Sequence, residues 1–275
     1  MRCTPTATQA SLAAATSPCS ANPRQPNCYC WAQRRCVIAV LENRIEGETE
    51  LTTDELVKLF SVLSHDLKSP IFTVDGFSEL LLGDYANKLD EEAQDFLRRI
   101  RSSVEQMRKV LDEMSHMVKL LARPTTKRPT PLNEIVEEVM LKCNYLVDEG
   151  QVHVNIPAEL PTLNVDPEKM REAISALISN ALFFNDRPKG ERMIAIESSS
   201  DASGYRLCVR DNGIGIDPRY TGQIFDLGLK LDKSRGGGPG YGLYLAKRIM
   251  ESHGGSITVD STPDQGSTFC LIIPR

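Results

Sequence analysis

Two heptad runs constrain the fold of this chain more than any other feature. Apolar residues recur at Leu56, Phe60, Leu63, Leu67, Val74, Phe77 and Leu81, with Pro70 on the same seam, in steps alternating between four and three. A second run follows at Ala93, Leu97, Ile100, Val104, Met107, Leu111, Met114, Val118 and Leu121. That spacing lays one apolar stripe along an α-helix. Between the runs, Gly83-Asp84-Tyr85-Ala86-Asn87 supplies a turn. Two helices of about 30 residues, each ~45 Å long, therefore fold back as a hairpin. One hairpin leaves its seam half exposed, so a second copy is expected to complete a four-helix bundle. A plain coiled-coil dimerisation module explains this much equally well.

Beyond the hairpin, three prolines in Arg123–Pro131 break the helical pattern and read as a linker. Helical patterns then alternate with β-rich runs at 193–196, 205–209, 256–259 and 267–273. This predicts an α+β sandwich, with helices on one face of a mixed sheet. The expected order is an N-terminal segment 1–49, a helical hairpin 50–123, a linker 124–131 and an α/β-sandwich domain 132–275. Residues 1–41 hold four Arg and no Asp or Glu, and are rich in Ala, Ser, Thr and Pro. A disordered tail is the first expectation there; an organellar transit peptide is the alternative.

The net charge of −5, without a basic stripe, argues against nucleic-acid binding. No apolar run approaches the roughly 20 residues needed to span a bilayer. Five of the eight cysteines fall in the first 36 residues, and Cys28-x-Cys30-x5-Cys36 is a candidate metal or iron–sulfur site, although it matches no strong zinc pattern. Cys143, Cys208 and Cys270 lie in apolar surroundings and read as reduced core residues.

Four segments carry chemistry. His65, in Ser64-His65-Asp66-Leu67-Lys68-Ser69-Pro70, occupies the heptad position farthest from the seam. An exposed helical histidine is ordinarily a solvated polar residue. Here Asp66 is placed to hold or deprotonate the imidazole, and Pro70 removes a helix hydrogen bond one turn later. Asn180 lies on an amphipathic helix and offers a carbonyl oxygen to a magnesium ion beside phosphates. Asp211-Asn212-Gly213-Ile214-Gly215-Ile216 follows a strand. A carboxylate there can accept an adenine amino group, and the glycines permit close backbone approach. Gly236-Gly237-Gly238-Pro239-Gly240-Tyr241-Gly242-Leu243 opens a helix whose free N–H groups suit phosphate. No Gly-Lys-Ser/Thr follows, so it is not a P-loop. Taken singly, Asn180 reads as a buried or capping residue, and Asn212-Gly213 as a strand-ending turn.

In this order the segments resemble the histidine kinases of two-component signalling. Ser64–Pro70 looks like their H-box and Glu172–Asn185 like their N-box. Asp211–Ile216 is similar to the G1 box, Ile224-Phe225 to the F-box, and Gly236–Leu243 to the G2 box. The resemblance runs from about Leu51 to Arg275. It implies a dimerising phosphotransfer hairpin followed by a GHKL-type ATP-binding domain. By that resemblance His65 is the phosphoacceptor, Asp66 its general base and Asp211 the adenine anchor. Asn180 would be the magnesium ligand, while Gly213, Gly215, Gly238, Gly240, Gly242 and Leu243 would line the nucleotide. ATP and Mg2+ are the implied cofactors; a homodimeric mate and a response regulator, which receives the phosphoryl group on an Asp, are the implied partners.

The chain departs from that pattern in four ways. Ala176 stands where relatives usually carry Asn, and Phe183 where a basic residue is common. Pro239 and Tyr241 replace the usual Thr and Leu, and the lid before Gly238 is short. Lys233 and Arg235, with Arg187, are candidate replacements for the missing positive charge. Ser69 occupies the position linked to phosphatase activity in relatives. Ala176 disfavours a water-activating ATPase of the same fold, which needs Glu there. It leaves a non-catalytic nucleotide-binding scaffold as the second reading. The first 50 residues are too few for an ordinary sensor domain of about 100. The expected compartment is the bacterial cytoplasm, with a chloroplast or other organelle as alternative.

Overall fold

The computed structural model describes residues 53–150, 152–185, 190–201, 204–231 and 240–274. Its first two elements are α1 (Thr53–Gly83) and α2 (Glu91–Ala122), joined through a 3-10 turn at Ala86–Lys88. Asp90 caps α2 by accepting from the Ala93 N–H at 2.8 Å, and Glu91 and Glu92 complement the helix dipole. α1 continues through Pro70. Lys68–Asp112 (2.7 Å), Arg101–Asp75 (3.4 Å) and Arg108–Asp75 (3.6 Å) cross between the helices.

The seam residues Leu63, Leu67, Val74, Phe77 and Leu81 are exposed, with Phe77 at 65%. The buried positions of α1 are instead Ser64, Ile71 and Ser78, seven residues apart. Ser64 meets α2 directly, accepting from Ser115 Oγ at 3.3 Å. Small polar residues thus allow close approach inside the hairpin, and the large apolar ones form an uncovered stripe. Such a stripe exceeds what single apolar side chains on a monomer surface would explain.

The second part contains β1 (Arg128–Pro131), α3 (Leu132–Gly150), β2 (Val152–Asn155), β3 (Thr162–Val165) and α4 (Pro167–Phe184). β4 (Arg192–Asp201), β5 (Gly204–Asp211), α5 (Gly242–Ser252), β6 (Ser256–Thr262) and β7 (Gly266–Ile273) follow. β1 pairs antiparallel with β3, so half of the expected linker is a short strand. Its prolines are tolerated because a two-stranded edge does not demand every N–H. The main sheet runs β2-β4-β5-β7-β6, with β2 parallel to β4 and the remaining pairs antiparallel.

Alternation along the strands sends Ile194, Ile196, Leu207, Val209, Phe269, Leu271 and Ile273 into one core with Leu132, Val136, Ile174, Leu177, Ala246 and Ile249 of the helices. Cys143 belongs to that core and is a free thiol, whose titration burial pushes up. Cys208 and Cys270 correct the expectation of reduced core residues. They project from the opposite sheet face, pair directly across β5 and β7, and form a disulfide. No described helix is long and apolar enough to cross a membrane.

Candidate functional site

His65 projects from α1 with its side chain 80% exposed, and its Nδ1–H faces Asp66 Oδ1 at 3.4 Å. In the tautomer that donates from Nδ1 to Asp66, Nε2 carries the open lone pair. Beside the imidazole lies a groove of about 370 Å³ between α1 and α2, lined by Ser64, Lys68, Asp112, Ser115, His116 and Lys119 among others. Ser69 is exposed on the next turn, and its carbonyl accepts from Thr73 Oγ1 at 3.1 Å.

A second constellation forms where β5 ends. Asp211 is 5% exposed, and its Oδ1 accepts from the Gly213 N–H at 2.8 Å and the Ser267 N–H at 3.3 Å. These bonds hold the carboxylate in a fixed orientation on the floor of the G1 turn. Gly213 and Gly215 are required by space. A Cβ at Gly213 would lie 2.2 Å from the Phe184 carbonyl oxygen, and one at Gly215 (φ +67) would lie 2.0 Å from that of Thr262. The turn is therefore wedged between the end of α4 and the β6–β7 hairpin. Asn212 ties it to β4, accepting from the Met193 N–H and donating to the Glu191 carbonyl, both at 2.9 Å.

Gly242 begins α5 against α4, where a Cβ on it would stand 3.5 Å from the Ala176 methyl. Asn180 lies one turn further along α4, on the side that Ala176 occupies. Gly240 (φ +88) packs against the Leu229 carbonyl, and Leu243 packs on the domain core. Phe183, at the position of a common basic residue, meets Phe184 edge-on at 5.4 Å. Gly238, Pro239, Lys233, Arg235 and Arg187 lie outside the described residues, as do Cys28, Cys30 and Cys36.

The fit to magnesium is that of a cation held mainly by its nucleotide. Among the described residues, no three His, Cys, Asp or Glu side chains gather as a metal group. Asn180 is half-buried on the same side of α4 as Ala176, and its amide would offer one neutral oxygen to Mg2+ carried on phosphates with waters.

Two domain families match the chain in succession. The His Kinase A (phospho-acceptor) domain covers residues 55–123, and the histidine kinase-, DNA gyrase B- and HSP90-like ATPase covers residues 165–275. The chain belongs to the sensor histidine kinases. Cyanobacterial phytochrome B of Nostoc sp. is 33% identical over 232 residues, covering 81% of this histidine kinase chain and 30% of that protein. The circadian input-output histidine kinase CikA of Synechococcus elongatus is 28% identical, over 86% of this chain and 33% of its own length. Sensor protein kinase WalK of Staphylococcus haemolyticus is 27% identical, over 77% and 35% respectively. The chain thus spans about a third of the length of these relatives.

Among solved structures, full-length ShkA in complex with AMPPNP aligns with a TM-score of 0.60 at 23% identity, over 78% of this kinase chain and 45% of that one. The Acinetobacter baumannii histidine kinase AdeS aligns at 0.51 and 19% identity, over 76% and 97%. Both likenesses concern the fold.

Sequence reasoning missed one polar centre of this kinase, around Asp166, Lys169 and His253, which are at most 2% exposed. The Asp166-Pro167 pair carried a signal, since Asp at the cap followed by Pro in the first turn marks a helix start. Its partners are far away in sequence and left no local trace.

Proposed function

We propose that this chain is an ATP-dependent protein histidine kinase that phosphorylates its own His65 and passes the phosphoryl group to an Asp of a response regulator. The observation that carries the reading is the exposed His65 imidazole with Nδ1–H held toward Asp66, on a chain that also folds an ATPase-type domain. In the first step Nε2 attacks the γ-phosphorus of ATP. The N–P bond forms as the bond to the β–γ bridging oxygen breaks, and ADP leaves. Asp66 stabilises or takes the Nδ1 proton as the ring becomes cationic.

Asp211 would anchor the adenine amino group. Gly213 and Gly215 let the base lie against backbone, and the start of α5 at Gly240–Leu243 would face the phosphates. Magnesium, held by Asn180, would supply charge neutralisation on the transferring group. The phosphoramidate then yields its phosphoryl group to a carboxylate of the regulator. The exposed stripe of α1 supports pairing with a second copy. Ser69, on the turn after His65, is the residue proposed for a phosphatase activity, in which water takes the phosphoryl group from the regulator's Asp. The bacterial cytoplasm is the proposed compartment, an organelle the alternative.

The Ala176 contact with Gly242 favours a second reading, a nucleotide-binding dimeric scaffold of low activity, because no amide stands at that position. The deciding experiment incubates the protein with γ-labelled ATP and magnesium, alongside His65→Gln. An acid-labile, base-stable label that disappears in the variant is expected. No label on a protein that still binds ATP would sink the kinase reading and leave the scaffold.

A further inference from the structure

We propose that Asp166 is a positioning residue that sets the ATP-binding domain against the phosphoacceptor hairpin. The proposal rests on the kinase reading above. Asp166 is 1% exposed and joins three separate elements. As N-cap of α4, its Oδ1 accepts from the Lys169 N–H at 3.2 Å. The same oxygen accepts from Arg123 Nη2 at 2.8 Å, at the C-cap of α2, and Oδ2 accepts from the Thr126 N–H at 2.9 Å. Its own N–H donates to His253 Nε2 at 3.0 Å, just past the end of α5.

The neighbouring groups tie the same three elements again. Lys169, 1% exposed, donates from Nζ to the Arg123 carbonyl at 2.7 Å and to Thr125 Oγ1 at 2.9 Å. Lys127 Nζ donates to the His253 carbonyl at 2.9 Å. His253 Nδ1 donates to the Ile249 carbonyl at 2.8 Å, so Nε2 is the acceptor that the Asp166 N–H requires. One turn earlier on α2, Met117 and Leu120 enter the core of the ATP-binding domain, and His116 Nε2 lies 3.5 Å from Glu172 of α4.

Stability alone does not account for this centre. Well-packed apolar residues would serve as well as a buried ion pair, whose desolvation offsets most of its attraction. Directional bonds instead fix an angle. The elements fixed are the helix that packs on the His65 helix, the helix that carries Asn180, and the helix that starts at Gly242. Asn180 is 14 residues from Asp166, or ~21 Å along α4 at 1.5 Å per residue. The nucleotide site is therefore remote from the centre, while the line between nucleotide and His65 depends on it. Misplacement by about 1 Å can cost a transfer reaction ~100-fold.

The test uses the full chain with Asp166→Ser, which keeps a cap on α4 but releases Arg123 and Thr126, and with Arg123→Gln, which cuts the bond from the α2 side. Nucleotide affinity and the single-turnover rate of His65 labelling at saturating ATP are measured for both. The expected result is an affinity within about twofold of wild type and a rate reduced by at least about tenfold. An unchanged rate in both variants overturns the proposal. So does a parallel loss of affinity and rate, which would make Asp166 a general fold residue. If the wild type itself carries no label, the kinase reading fails and positioning is read by hydrogen exchange over residues 116–127. Faster exchange in the variants at unchanged affinity then supports the fixed junction, and unchanged exchange overturns it.

Discussion

The hairpin and the ATP-binding domain solve the problem of folding in opposite ways. The hairpin keeps Ser64 and Ser78, with Ile71 between them, on its inner line and leaves Leu63, Leu67 and Phe77 exposed. The domain turns its large apolar residues inward and closes one core across its three helices and a sheet, with Met117 and Leu120 of α2 added at one end. The first region leaves its apolar stripe uncovered; the second buries its own. The chemistry follows the same division. His65 is exposed at the surface, while Asp211 is buried and hydrogen-bonded in place.

Breaking one region should therefore spare the other, and three experiments test this, with a fourth on the centre that joins them. The largest effect is expected from Asp211→Asn, which keeps the turn geometry but removes the charged acceptor. Nucleotide affinity should fall at least ~100-fold, since a site built for a hydrogen bond rejects a mismatch strongly. Calorimetric titration would measure it, and the oligomeric state by light scattering should not change.

The converse is Phe77→Asp, which places a carboxylate in the apolar stripe. Burying it unpaired costs a few kcal/mol, so the dimer dissociation constant should rise by about two orders of magnitude, while nucleotide affinity stays within about twofold. Loss of both would show that the regions are not separable.

Gly215→Ala should destabilise the ATP-binding domain by about 2–3 kcal/mol, through strain at positive φ and overlap with the Thr262 carbonyl. Its melting transition would show this, while the helical signal of the hairpin persists to higher temperature.

The smallest effect concerns pH. Burial, aided by Lys127 and Lys169, lowers the His253 pKa, against the opposing pull of the Ile249 carbonyl and Asp166. The unfolded chain binds that proton near pH 6.5, and the folded chain does not. The stability contribution is thus full above about pH 6.5 and is lost as the pH falls below it. The melting temperature should drop between pH 7.5 and 5.5, and His253→Asn should flatten that slope. Asp166 acts in the same direction at lower pH. Burial alone would raise its carboxyl, but the Thr126 and Lys169 N–H groups and Arg123 hold it below the usual range.

The two regions also differ in what their sequence discloses. The hairpin was legible because a helix repeats its geometry every turn, so Leu56 to Leu121 announce two helices before any contact is known. The heptad does not reveal which side meets which neighbour, and Ser64 and Ser78 carry no apolar signal. Asp211, Gly213 and Gly215 were legible because local backbone geometry dictates residue type at a tight turn. Features made by long-range register were hidden. Cys208 and Cys270 are 62 residues apart and become neighbours only through the β5–β7 pairing. β1 was masked by its prolines, which argue against a strand until β3 supplies the one partner it needs. The Asp166 centre draws on Arg123 and His253, 43 and 87 positions away.

The uncovered stripe on α1 also bears on dosage. If a bundle is finished only by a second chain, assembled kinase grows with the square of chain concentration while monomers predominate. Halving synthesis would then cut the assembled form to about a quarter in that dilute regime. A cell could tune the gain of such a circuit through expression alone, before any signal arrives.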